Sequence, residues 1–331
     1  MMAAKLKVAC YGLNGHQILG QLKDHPRAEL TAVAEITRGQ VEERLGAEIA
    51  GRVRIAPHLD ALLTDPEVDL ISLCSPRRVE QFDHAIECLR SGKHVLAEKP
   101  AAFTVDELDE LHHVMGKSRA QFRQMGACGH EATLTAIRKL VDAGRLGEVV
   151  HVCALKSYPH HDGRPQDRGV DGGLIRQAGI HGVRFMQRAT GLRAVRVCAL
   201  DTTHGDPKHG LLQMAASVAL QFDNGAVGVL ACNYLNPRGI GYWGNDQLRV
   251  HGTGGMVEAV DGFTRCRMVL GAGTPEPIPD VPASYPDFFD AYVDHLLDGT
   301  PMPYDPEEDL YALRTVIRAQ DAVDNRSILQ V

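Results

Sequence analysis

The run Gly92-Lys93-His94-Val95-Leu96-Ala97-Glu98-Lys99-Pro100 reads as a short apolar strand that ends in a charged pair and a proline. A lysine at the carboxyl end of a strand in an α/β sheet stands where such sheets bind ligands. The alternative is a surface lysine in a strand-to-helix turn, and a second motif at the head of the chain weighs against it. Leu6 to Tyr11 reads as a buried strand, followed by Gly12-Leu13-Asn14-Gly15-His16-Gln17 and a helix. A further strand, Leu30 to Ala34, ends in Glu35, 23 residues after Gly12. An acidic residue about 20 positions past a glycine turn is suited to hold the adenosine ribose of a dinucleotide. The glycine pattern departs from the usual fingerprint, with Asn14 in the second glycine position and Gln17 in the third. Asn tolerates left-handed backbone, and Gly15 is expected to allow the close approach to pyrophosphate. His16 is expected at the start of the first helix, whose N-terminus favours that anion.

These residues need elements to position them. Up to about residue 123 the chain alternates strands and helices: a helix over 40–49, strands at 53–55 and 68–74, helices at 59–63 and 79–91, then the strand ending at Glu98. Thr104 to Glu107 is a capping-box pattern that opens the next helix. Such alternation predicts a doubly wound, mainly parallel sheet. Beyond Glu131 the pattern changes to a helix over 134–142 and longer strands at 149–155, 194–200, 214–222 and 226–232. Asp223-Asn224-Gly225 is a hairpin signal. An α+β second domain with a large open, mostly antiparallel sheet is predicted, and its outer face calls for a cover that another subunit can supply. An extended connector over 274–286 and two helices, 288–297 and 307–323, close the chain. The predicted division is 1–123 and 124–331.

At 331 residues and 44% hydrophobic content the chain has the makings of two ordinary cores. A net charge of −7 argues against nucleic acid or an anionic membrane as the main partner. No apolar stretch approaches the roughly 20 residues that span a bilayer, and Met1 to Lys7 carries no signal-peptide core. Cysteines at 10, 74, 88, 128, 153, 198, 232 and 266 form no Cys-x-x-Cys pair. Reduced, buried cysteines and a cytoplasmic location are therefore expected. His160-His161-Asp162 raises the question of a metal, but adjacent loop histidines seldom aim at one ion, and none is expected.

Ser75-Pro76, the Gly92-Lys93-His94-Val95 and Glu98-Lys99-Pro100 block, Gly172-Gly173 and Gly179-Ile180-His181 together resemble the Gfo/Idh/MocA family. These are dehydrogenases related to glucose–fructose oxidoreductase and inositol dehydrogenase, and the resemblance covers almost the whole chain. It implies a Rossmann domain joined to an α+β domain with an open sheet, in a homodimer or homotetramer built through that sheet. It implies NAD(P)-dependent hydride transfer with a secondary alcohol or ketone of a sugar, polyol or related ring as the small-molecule substrate. By the same resemblance Lys99 lies beside the nicotinamide and the reacting oxygen, and a cation there stabilises developing alkoxide. Pro100 fixes the backbone after it, and its bond is a candidate for a cis peptide. Gly12, Asn14, Gly15, His16, Gln17, Glu35, Arg38, Ser75, Pro76, Arg77, Glu98 and Lys99 form the expected cofactor set. Glu35 favours NAD by repelling a 2′-phosphate, whereas Arg38 is the route to NADP.

His181 matches the family's general acid/base, and an imidazole with pKa about 6.5 suits proton exchange near neutrality. Gln177 stands where the family pattern has Asp, four residues before His181 and on the same face of the expected helix. It binds a hydroxyl but cannot pair with an imidazolium, and Arg184 likewise replaces a frequent Asp. Tyr158, Arg164, Arg168 and Arg176 are expected to touch substrate alongside Lys99, Gln177 and His181. With Arg77 and Arg78, these arginines suggest an acidic substrate; surface or interdomain salt bridges are the alternative. Two rival activities remain: an NAD-binding sensor without redox turnover, and NAD-assisted elimination or glycoside cleavage with recycled cofactor.

Overall fold

Six short strands within residues 6–124 pair into one parallel sheet in the computed structural model, which describes residues 5–126, 130–283, 285 and 287–331. The strands are β1 (Leu6–Tyr11), β2 (Ala28–Ala34), β3 (Arg54–Ile55), β4 (Leu70–Leu73), β5 (His94–Ala97) and β6 (Phe122–Gln124). Their spatial order is β3-β2-β1-β4-β5-β6. This is the doubly wound arrangement, with its switch of direction beside β1 and β4. All four residues of β4 are buried, as expected where helices cover both faces. Cys128, the first four residues and positions 284 and 286 of the expected connector lie outside the described residues.

Local chemistry sets the helix boundaries. Thr104 and Glu107 form the expected capping box on helix Val105–Lys117. Thr37 and Gln40 form a second one on Arg38–Leu45. The helix expected over 40–49 breaks at Gly46, whose φ of 90° ends one helix before Ala47–Arg52 begins. The helix expected directly after the glycine turn is only Leu19–Leu22, so His16 precedes it by three residues.

The unit built on this sheet also takes in 169–172 and 285–306, which a division at 123/124 assigns to the other half. The helix Phe288–Asp298 packs Phe288, Phe289, Tyr292 and Val293 into the core of Leu6, Val8 and Val33. Tyr292 Oη donates to the Gln121 carbonyl at 2.8 Å. Asp287 caps the helix, and Asp290 lies 2.9 Å from His25 Nε2.

The second unit is built on β7 (Val149–Ser157), β8 (Ala194–Thr202), β9 (Ala215–Phe222), β10 (Val227–Asn233), β11 (Gln247–Gly252), β12 (Gly255–Val260), β13 (Arg265–Leu270) and β14 (Leu329–Gln330). Their order is β13-β12-β11-β7-β10-β9-β8-β14, antiparallel except that β7 and β10 run parallel. Gly225, at φ 88°, closes the β9–β10 hairpin at the expected turn. One sheet face buries Val152, Val218 and Leu230. Helix Ile180–Thr190 lies against β7, β10 and β11 on that face. Its Gly182 sits so close that a Cβ there would meet Leu230 Cδ1 at 2.3 Å.

Candidate functional site

In the first unit, the expected cofactor residues gather at the carboxyl ends of β1, β2, β4 and β5. Gly12 donates to the Ala34 carbonyl at 3.0 Å, which sets the glycine turn beside Glu35. Gly12 has φ 68°, and a Cβ on it would stand 2.2 Å from the Cys74 carbonyl oxygen. Only glycine fits there. Gly15, at φ 119°, makes its close approach to the Glu98 carboxylate; a Cβ would lie 2.7–2.8 Å from it. The crowding at Gly15 is thus explained by Glu98, a protein partner that the sequence did not suggest.

Glu98 organises the centre of this half. Its Oε2 accepts from the His16 N–H at 2.7 Å and lies 2.9 Å from His16 Nδ1, while Oε1 accepts from the Lys99 N–H at 3.0 Å. Lys99 Nζ and Arg78 stand 3.7 and 3.8 Å from Oε1. Burial alone would push this carboxyl up, but Lys99, the His16 hydrogen bond and Arg78 outweigh it and hold it well below the usual carboxylate range. Lys99 is itself buried at 2% exposure, and the Lys99–Pro100 bond is cis.

Several expected ligand contacts turn inward instead. Gln17 donates to the Gly12 and Ser72 carbonyls at 2.9 and 3.2 Å and accepts from Ser72 Oγ at 2.6 Å, so its amide holds the loop's shape. Asn14 Nδ2 reaches the carbonyls of Val170, Ser75 and Pro76 at 2.5, 3.3 and 3.2 Å. Arg78 donates to the Lys99 carbonyl at 2.7 Å and to that of Asn14, which ties the glycine loop to the strand-end lysine. It is therefore internal scaffolding, contrary to the expectation that it signals substrate charge. Arg77 faces Glu80 at 3.9 Å. Arg38 donates to the Ala50 carbonyl. His16 lacks the helix-terminal position expected of it, and its exposed ring is held by Glu98. Glu35 is exposed at the end of β2 with φ 55°.

Sequence reasoning overlooked Gln81 and His84. Fully buried Gln81 accepts from the Ser75 N–H at 3.2 Å and donates to the Glu98 carbonyl, joining the ends of β4 and β5. His84 Nδ1 lies 2.9 Å from Ser75 Oγ, and burial holds its imidazole below the ordinary value. Both stand on the helix side after Ser75-Pro76, and helical spacing from that turn was the available signal.

In the second unit, the expected single helix around the Gly-Gly motif is two segments. Ile175–Gly179 is a π-turn that contains Arg176 and Gln177, and the α-helix starts at Ile180 with His181 in its first turn. A π-turn closes five-residue rather than four-residue hydrogen bonds, so the assumed regular spacing of Gln177 and His181 does not hold. Gln213 accepts from the Leu174 N–H at 3.0 Å and anchors the turn. Arg184, 1% exposed on its side chain, pairs with Asp309 at 3.0 Å and belongs to the core. Arg168 pairs with Asp324 at 3.2 Å on the surface, the salt-bridge alternative rather than a charge awaiting substrate. Tyr158 and Arg164 are both buried, the guanidinium carbon 5.6 Å from the ring centre.

No described residues cluster as a metal site, and no helix among them is long and apolar enough to cross a membrane.

Comparison with known proteins agrees with this fold. The model for an oxidoreductase family with an NAD-binding Rossmann fold matches residues 6–124, and the GFO/IDH/MocA C-terminal domain model matches 134–258. Inositol 2-dehydrogenase of Rhizobium meliloti is 26% identical over 70% of this chain and 68% of its own. A dTDP-3,4-didehydro-2,6-dideoxy-alpha-D-glucose 3-reductase of Streptomyces violaceoruber is 29% identical over 55% of this chain and 53% of its own. The chain spans about half the length of the first curated relatives it matches. A putative oxidoreductase from Thermotoga maritima shares the fold, with TM-score 0.85 at 22% identity over 98% of this chain and 100% of that one.

Proposed function

Because the chain belongs to the Gfo/Idh/MocA family of oxidoreductases, we propose that it transfers hydride between a nicotinamide cofactor and a secondary alcohol or ketone on a small polyol, sugar or related ring. The observation that carries this reading is Lys99, a buried cation held against Glu98 at the carboxyl end of β5. A dinucleotide fits the residues present: a glycine turn that admits no Cβ at Gly12 lies beside an exposed acid, Glu35, at the end of the neighbouring strand. Glu35 would hold the adenosine ribose, and Gly12 with the loop it opens would face the pyrophosphate. Bound nicotinamide supplies the hydride acceptor or donor. NAD is the preferred cofactor on the charge of Glu35, with Arg38 the residue that would have to leave Ala50 to serve a 2′-phosphate.

Lys99 polarises the reacting oxygen and stabilises alkoxide character as the C–H bond breaks. Glu98 holds that ammonium in place. His181 takes the hydroxyl proton during oxidation and returns it during reduction, and Gln177 binds a substrate hydroxyl without adding charge. The relatives named as an inositol dehydrogenase and a deoxyhexose reductase support this substrate class.

The test follows formation of reduced nicotinamide from NAD⁺ and from NADP⁺ with inositols, neutral sugars and sugar acids. Turnover with at least one secondary alcohol, faster with NAD⁺, is expected. Tight NAD binding with no turnover across the panel would contradict it and favour the sensor.

A further inference from the structure

Arg164 is 8% exposed, yet it forms no ion pair with any carboxylate among the described residues, and its Nε has no hydrogen-bond partner. Buried Arg184 and half-buried Arg188 of the same unit differ: they share Asp309, and Arg188 also reaches Glu131 at 2.7 Å. The Arg164 guanidinium instead lies over the Tyr234 ring, 4.0 Å from its centre, and 5.6 Å from the centre of the Tyr158 ring. Aromatic faces hold a guanidinium in place but do not neutralise it, and arginine does not shed its proton. A desolvated cation without a counter-charge is costly. A ligand carboxylate with two oxygens matches the guanidinium fork that remains.

The surroundings reinforce this reading. The His161 imidazole is held below its ordinary value, first by burial and then by the charges of Arg164, His160 and Arg238, while Asp162 acts the other way. Arg164 and Arg238 thus both act on His161 as nearby cations. Trp243, the only tryptophan of the chain, is 58% exposed and stands 6.1 Å from Tyr158 and 6.4 Å from His161. Asn236 fixes this loop, donating to the Trp243 carbonyl and to the Ser157 carbonyl, each at 3.0 Å. A cation over Tyr158, with an exposed indole against the same tyrosine, suits a small polar ring that carries an acid.

We propose that Arg164 is the specificity-determining residue of the substrate site and receives a carboxylate, so that the favoured substrates are sugar acids or other ring and polyol carboxylates. This rests on the dehydrogenase reading above and names its substrate class.

The experiment measures quenching of Trp243 fluorescence in the full chain by D-glucuronate, D-galacturonate, D-glucose and myo-inositol, with NAD⁺ present, alongside nicotinamide reduction. Wild type is expected to bind at least one uronate about 10-fold to 100-fold more tightly than its neutral counterpart, the range of a charge-assisted hydrogen-bond pair. Arg164→Gln is expected to abolish that preference while NAD⁺ affinity stays unchanged, and Arg164→Lys to restore only part of it. Equal affinity of wild type for uronate and neutral sugar overturns the proposal without any variant, as does a preference that survives in Arg164→Gln. Reduction of NAD⁺ by neutral polyols alone overturns the carboxylate site and leaves the dehydrogenase standing. Arg164-dependent uronate binding without nicotinamide reduction supports the site and removes the dehydrogenase.

Discussion

Glu98 is a single carboxylate shared by two cations and two backbone N–H groups, and its role is positional. Its folded-state pKa is lowered, so the stability it contributes is complete above the ordinary carboxyl value of about 4.3 and is lost as pH falls toward the folded value. Glu98→Gln should therefore cost about 3 kcal/mol at neutral pH, because two buried cations, Lys99 and Arg78, lose the carboxylate nearest to them. Urea denaturation at neutral and acid pH checks this: the gap to wild type should narrow as the pH drops below about 4. A gap independent of pH would show that the carboxylate charge is not what matters. At Gln177 the expectation concerns rate. Gln177→Asp adds an anion four positions before His181 and should shift the pH–rate profile to higher pH if the two side chains meet, since a nearby carboxylate favours the imidazolium. An unmoved profile would separate the two side chains.

One close approach determines how helix Ile180–Thr190 is seated on its sheet. Gly182 lets helix Ile180–Thr190 lie directly on Leu230 of β10, and it follows His181 in sequence. Gly182→Ala should destabilise by about 1–3 kcal/mol, the usual cost of overpacking, because Leu230 is fully buried and has no room to retreat. Thermal denaturation reads this out; an unchanged midpoint would mean that the helix can lift off the sheet at no cost. The glycine turn, the acid at the end of β2 and the lysine at the end of β5 were legible because each is a local signal with a fixed spacing. The direction of the loop's polar side chains was not. Gln17, Asn14 and Arg78 have the composition of ligand contacts, but their partners are carbonyls on other strands and loops, brought near only by folding. The π-turn at Ile175–Gly179 was invisible for a related reason, since its residues also suit an α-helix. Helix Phe288–Asp298 joins the core of the first unit from almost 200 residues beyond β5, and nothing in its own amphipathic pattern names the surface it covers.

For the whole molecule, the outer face of the second sheet presents Val227, Val229 and Leu200 at 50%, 44% and 75% exposure, with Ala219 paired beside Val229. An apolar patch of this kind on an open sheet is where a second copy is expected to pack. Val229→Glu should shift sedimentation from an oligomer to a monomer without unfolding; a wild-type chain that sediments as a monomer would remove that expectation. The −7 net charge and the Arg164 site are compatible, because an acidic surface does not prevent a buried guanidinium from selecting an acid. The most direct measurement on the chain is single-turnover reduction of bound NAD⁺ by its best alcohol substrate, compared between wild type and Lys99→Met. Retained NAD⁺ binding with a rate about 100-fold to 1000-fold lower, the scale of a lost charge-stabilising group, is the predicted result; a rate within a few-fold of wild type would contradict the role of Lys99.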